Sequence, residues 1–311
     1  MKILFMGTPD FAVFTLKALV ERGENVIGVV TQTDKPRGRG YELLPTPVKV
    51  YAQEHGIPVY QPATLRGEEF AAQLAEIDPE LIIVVAYGKI LPANVLEYPK
   101  HGCINVHGSL LPAYRGAAPM QRAIMDGCAT TGITTMYMAQ GLDTGDMLLK
   151  AELPILPEDN FETIHDSLGA LGAKTMLDTL DALRAGTLTP EKQDDALANY
   201  AEKIQKSDLL IDFTKDAATV HNYIRGTSPI PLSFTHLPGG SLLKVYASRV
   251  YDADKVHTAA PGTVVGLDGE ILVACGKGTI ALTQVIPEGK KRMPAADYIR
   301  GRKINLGDLL S

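Results

Sequence analysis

The sequence contains no tryptophan and only three cysteines, Cys103, Cys128 and Cys275, none of them in a Cys-x-x-Cys pair. So few and so scattered, they exclude a disulfide framework or a structural zinc site and fit a reducing compartment. No apolar run reaches the roughly 18 residues a membrane span needs. The opening Met1-Lys2-Ile3-Leu4-Phe5-Met6-Gly7 is too short for a signal peptide and no small-residue cleavage site follows it. It reads as a first buried strand, and a soluble cytoplasmic protein with no membrane contact is expected. The Gly-x-Gly-x-x-Gly fingerprint is missing, which disfavours a nicotinamide cofactor, and no phosphate-loop, His-Glu-x-x-His or Gly-x-Ser-x-Gly motif occurs. His55, His101, His165, His221, His236 and His257 have no partners at ligand spacing, so no metal is expected.

What is present is the composition of a globular chain. Its 311 residues are about twice a typical domain, so two domains are expected. The net charge of −6 speaks against a nucleic-acid binder, but the charge is unevenly spread. Residues 201–311 hold 14 Lys/Arg against 11 Asp/Glu, whereas the preceding residues hold 16 against 25. Such asymmetry is compatible with a polyanion-facing second half and equally with ordinary surface charge.

Short apolar runs at residues 3–6, 26–30, 81–86 and 103–106 predict strands, several of them continuous Val/Ile/Leu runs covered on both faces. Helical patterns fall between them at 11–22, 48–55, 68–77 and 119–126, and a longer one at 161–183. This alternation predicts an α/β fold with a doubly wound, mostly parallel sheet. The polar stretch 186–195 has the composition of a linker. Beyond it a helix is expected at 217–225, then short strands at 242–246, 262–265, 271–274 and 279–285 separated by turn residues. That pattern predicts a small β module, a barrel.

Three segments carry candidate chemistry. In the segment 102–112, Asn105 and His107 are two apart with apolar Ile104 and Val106 between, so on an extended strand they share a face at its carboxyl end, where open α/β sheets bind ligands. An amide beside an imidazole suits oxyanion stabilisation and proton handling, although a structural histidine and a turn asparagine are the commoner occupants of such positions. Gly141-Leu142-Asp143-Thr144-Gly145-Asp146 is a tight loop able to bring a carboxylate to the histidine, or equally an Asx turn. Thr33-Asp34-Lys35-Pro36-Arg37-Gly38-Arg39-Gly40 is a basic, irregular loop suited to phosphate contacts, or to plain solvation.

Taken with Gly7-Thr8-Pro9-Asp10-Phe11-Ala12, the segment from Val85 to Pro92, and Tyr114-Arg115-Gly116-Ala117-Ala118-Pro119, these motifs resemble the bacterial methionyl-tRNA formyltransferase family over essentially the whole chain. The run from Asn105 to Pro119 is specific for formyltransferases that use 10-formyltetrahydrofolate, without separating them by acceptor. The resemblance implies a Rossmann-like catalytic domain over residues 1–189, a linker over 190–206 and an OB-like, tRNA-binding barrel over 207–311. It implies catalysis by Asn105, His107 and Asp143, and folate contacts from Ser109, Leu110, Leu111 and Pro112. Val85, Ala86, Tyr87, Gly88, Ile90, Leu91 and Gln140 would line the pterin pocket, and Arg39, with Lys35 and Arg37, would meet the tRNA. The implied reaction is formyl transfer to methionyl initiator tRNA by a monomer. The alternative is a related enzyme acting on a UDP-aminosugar or other small amine. The sequence departs from the family at Ser228-Pro229-Ile230-Pro231, where Asn-Pro-Trp-Pro is common.

Overall fold

The structure is a computed structural model that describes residues 1–37 and 42–311. It divides into two compact units. The first comprises Met1–Gly116, Thr131–Pro154 and His165–Tyr200. The second comprises Ala117–Thr130, Ile155–Ile164 and Ala201–Ser311.

The first unit is built on a seven-stranded sheet ordered Met147–Pro154, Thr130–Tyr137, Cys103–His107, Leu81–Val85, Ile3–Gly7, Val26–Val30, Val59–Tyr60. Ile3–Gly7 and Leu81–Val85 lie at its centre and are buried at every position, as their unbroken apolar sequences require of strands covered on both faces. The strands from Cys103–His107 through Val59–Tyr60 pair in parallel. Cys103–His107 meets Thr130–Tyr137 antiparallel, with Asn105 opposite Met136 and His107 opposite Thr134. The helix Asp10–Glu21 buries Phe11, Ala12, Thr15, Leu16 and Leu19. The helix Pro47–Glu54 begins where Thr46 accepts the Lys49 backbone N–H at 3.2 Å, with Pro47 in the first turn, where its missing N–H costs nothing.

The expected mostly parallel α/β sheet is therefore present. The strands Thr130–Tyr137 and Met147–Pro154 go beyond the sequence pattern. Thr130–Tyr137 carries four threonines, which do not read as a core strand, yet Thr134 is buried and its hydroxyl is satisfied internally. It accepts the Leu111 N–H at 3.0 Å and donates to the Ser109 carbonyl at 2.8 Å.

The second unit holds an antiparallel sheet ordered Phe234–His236, Leu242–Asp252, Thr279–Pro287, Ile271–Ala274, Val264–Gly266, with Met293–Pro294 also paired to Thr279–Pro287. Register shifts along Leu242–Asp252 mark irregularities of the kind that curl a sheet. The curled sheet closes over Val220 and Ile224 of the helix Ala217–Thr227 and Tyr298 of the helix Ala295–Arg300. The second of these helices adds an element to the expected β module. Asp216 caps Ala217–Thr227 by accepting the Thr219 N–H at 2.9 Å, a bond that holds its carboxyl below the usual range. No helix among the described residues is long and apolar enough to cross a membrane.

Candidate active site

The strand Cys103–His107 delivers Asn105 and His107 to its carboxyl end, Asn105 half-buried and His107 5% exposed. The His107 Nε2 lies 3.0 Å from the Tyr114 carbonyl oxygen. A carbonyl can only accept, so Nε2 carries the hydrogen and donates it. That leaves Nδ1 as the ring atom facing Asp143, 3.7 Å from Oδ2. Histidine and aspartate, 36 residues apart in the sequence, thus form one pair.

Asp143 is held by more than the histidine. Its backbone lies in the left-handed region at φ 52°, a conformation that costs a non-glycine residue about 1–3 kcal/mol and persists only where its surroundings enforce it. The Gly116 N–H donates to Oδ2 at 2.8 Å. The Gln193 side-chain amide donates to the Asp143 carbonyl at 2.7 Å and to the Gly145 carbonyl at 2.8 Å. Gly145 sits where no side chain fits: a Cβ there would lie 1.7 Å from the Tyr137 carbonyl oxygen.

The neighbouring segments divide into buried supports and exposed surface. Ser109 is fully buried and donates to the Ala113 carbonyl at 2.6 Å, and Leu111 packs with Met136 and Met147, while Leu110 and Pro112 are half-buried. Val85, Tyr87 and Leu91 face the interior, and Tyr87 belongs to a core cluster with Ile82 and Val84. Between them Ala86 (φ 45°), Gly88 (φ 82°) and Ile90 (77% exposed) lie at the surface. The Tyr87 carbonyl accepts from Thr8 Oγ1 and from Gln32 Nε2, both at 2.9 Å, which fixes this loop just past the strand Leu81–Val85. Gln140 is exposed on the loop that leads to Asp143.

Lys35 is exposed on the short strand Lys35–Arg37, which pairs with Glu42–Leu44, and its Nζ donates to Gln32 Oε1 at 2.9 Å. Behind it Lys49 donates to Asp34 at 2.6 Å and to Gln61 at 2.9 Å. The Lys49 hydrogen bond, followed by that from Gln61, holds the Asp34 carboxyl below its ordinary value. The Arg37 backbone belongs to the hairpin; Arg39 lies outside the described residues. Among the described residues no group of three His, Cys, Asp or Glu side chains is arranged to hold a metal ion.

The resemblance names Asn105, His107 and Asp143 as one site, and the structure pairs His107 with Asp143, but the groups that hold them were missed. The Tyr114 carbonyl and Gly116 N–H are backbone atoms inside a motif already noticed. Gln32 and Gln193 carried no signal of their own.

The first unit is a doubly wound sheet with a polar cluster at its strand ends, and the second is a curled antiparallel sheet. The family model "Formyl transferase" matches residues 1–180, and "Formyl transferase, C-terminal domain" matches residues 203–303. The chain belongs to the formyl transferase family. Within it, a relative named methionyl-tRNA formyltransferase from Geobacter metallireducens is 50% identical over 309 residues, spanning 99% of this chain and 97% of that protein. The fold resembles that of HypX from Aquifex aeolicus, solved with tetrahydrofolic acid, at a TM-score of 0.64 and 16% identity, over 98% of this chain and 48% of that one. An N-formyltransferase from Helicobacter canadensis, solved with folinic acid and dTDP-3-aminofucose, matches at a TM-score of 0.64 and 18% identity, over 91% of this chain and 98% of that one.

Proposed function

We propose that this chain transfers the formyl group of 10-formyltetrahydrofolate to the α-amino group of methionyl initiator tRNA. The observation that carries this reading is its 50% identity, end to end, to relatives named for that reaction. The site chemistry supports it. The loop around Tyr87 is tied by two hydrogen bonds, with Ala86 and Gly88 exposed just past the carboxyl end of Leu81–Val85. Exposed peptide groups of that kind suit the amide and amino edge of a flat pterin ring.

The donor supplies a formyl carbon bonded to its N10. The amine must be neutral to attack that carbon. As the new C–N bond forms, negative charge develops on the formyl oxygen. Asn105 donates its amide N–H to that oxygen. His107, already a donor to Tyr114 through Nε2, becomes a cation when Nδ1 also takes a proton, and Asp143 stabilises that charge. Asp143 accepts the proton the amine loses, directly or through the imidazole, and that proton leaves with N10 as the old C–N bond breaks. Loss of Asn105, the oxyanion donor, costs about 2.7–4 kcal/mol of barrier, or roughly 100- to 1000-fold in kcat, and loss of the His107 proton relay roughly 100- to 10,000-fold. The test is His107→Ala in a formyl-transfer assay, with folding checked by thermal unfolding. A folded variant with near-normal turnover would remove His107 from the mechanism.

The basic loop carrying Lys35, Arg37 and Arg39 is assigned to phosphates of the tRNA acceptor stem, and the second unit to further tRNA contacts. Such contacts weaken as salt rises.

A further inference from the structure

We infer that Gln193 is a positioning residue for formyl transfer, acting by holding the Asp143 loop in register with His107. This inference rests on the role proposed for Asp143. Gln193 lies in the polar stretch 186–195, whose composition is that of a linker. In the structure that stretch is docked. Glu191 exchanges two backbone hydrogen bonds with Met147, both 2.8 Å, and Asp195 accepts from Arg115 at 2.7 Å. Between these anchors the Gln193 amide spans the site.

Its two ends have different tasks. Oε1 accepts from Arg115 Nε at 2.9 Å, and Arg115 is 2% exposed. An arginine can only donate, so the amide orientation is set: the oxygen faces Arg115 and the nitrogen faces the loop. Nε2 has two hydrogens and meets two acceptors, the carbonyls of Asp143 and Gly145. Those carbonyls flank the turn in which Asp143 adopts its left-handed backbone. The Gly116 N–H fixes the carboxylate itself. Gln193 therefore sets where the turn sits, and Gly116 sets how its side chain points.

This arrangement makes Gln193→Glu a discriminating substitution. The carboxylate keeps its attraction for Arg115, so the buried guanidinium stays partnered. Its other oxygen, however, faces two carbonyl oxygens and has no hydrogen to give. The turn must move away, and a displacement of about 1 Å at reacting groups can cost roughly 100-fold. We expect Gln193→Glu to lower kcat by about 10- to 100-fold, with KM for donor and acceptor each within about threefold of the parent. Gln193→Ala, which lacks the repulsion, should fall between the two and provides the second variant should Gln193→Glu fold poorly.

The experiment is a double-mutant cycle on the full chain, with Gln193→Glu and Gln193→Ala each made in the parent and in Asp143→Asn. Formyl transfer to methionyl initiator tRNA is the readout, and thermal unfolding is measured in parallel. If Gln193 acts through Asp143, its replacement lowers kcat in the parent and lowers it no further once Asp143→Asn is in place. Equal losses in both backgrounds, or unchanged kcat in folded Gln193 variants, would overturn the inference. Near-normal activity of Asp143→Asn alone would instead overturn the role proposed for Asp143.

Discussion

Replacing Gly145 with alanine should cripple turnover without emptying the substrate sites. The added Cβ would lie 1.7 Å from the Tyr137 carbonyl oxygen and 2.8 Å from its carbonyl carbon. Both are backbone atoms of a strand paired to the central sheet, so they yield little. Real Cβ contacts almost never fall below 3.0 Å, so the turn must retreat by roughly 1.3 Å. Asp143, two residues earlier, moves with it, and the Gln193 bond to the Gly145 carbonyl is stretched or lost. A shift of that size predicts a kcat loss of about 100-fold. KM for the folate donor should change little, because the Tyr87 loop is tied independently by Thr8 and Gln32. The assay is steady-state formyl transfer with each substrate varied, below the unfolding temperature of the variant. A folded Gly145→Ala enzyme with kcat within threefold of the parent would refute the claim that this turn must sit where it does.

Asn105→Ala should lower kcat by roughly 100- to 1000-fold through loss of the oxyanion donor, and His107→Ala and Asp143→Asn each by roughly 100- to 10,000-fold through loss of proton transfer, all unfolding cooperatively near the parent temperature. Arg39→Ala should raise KM for the tRNA and flatten the salt dependence of its binding, leaving folate binding intact; an equal effect on folate affinity would remove the arginine from the tRNA surface. Glu24 accepts from Arg184 and from Arg22, and the Arg184 bond, against the opposing effect of burial, holds its carboxyl below the ordinary value. Because the folded value is depressed, this stabilisation is present above the unfolded carboxylate value and is lost as pH falls through the folded one. Glu24→Gln should therefore lower stability near neutrality, and its difference from the parent in thermal unfolding should shrink below about pH 4. A difference unchanged by pH would refute the pairing.

The legible parts of this chain are those where one physical demand dominates a run of residues. Ile3–Gly7 and Leu81–Val85 are buried along their whole length, so their apolar sequences announce central strands. That Asn105 and His107 share a face follows from the two-residue repeat of a strand; their role in a site comes from the resemblance. Thr130–Tyr137 was hidden because its buried threonines satisfy their hydroxyls on neighbouring backbone, which no local pattern records. Met147–Pro154 is buried only at Met147 and Leu148, then alternates half-buried with exposed, and lacks the continuous apolar signature. Gln193 was hidden for a related reason. Its surroundings in sequence are polar and linker-like, and its importance comes from Arg115 and Asp143, 78 and 50 residues away. Of the residues the resemblance assigns to the folate pocket, Tyr87 and Leu111 are buried, whereas Ala86, Gly88 and Ile90 are exposed.

The most direct test of the central claim is a formyl-transfer assay with 10-formyltetrahydrofolate in which methionyl initiator tRNA, uncharged tRNA, a UDP-aminosugar and glycinamide ribonucleotide are offered in parallel. Transfer to the charged initiator tRNA alone is expected. Transfer to a small amine with the charged tRNA ignored would contradict it, leaving Asn105, His107 and Asp143 in place but overturning the acceptor and the purpose of the basic loop.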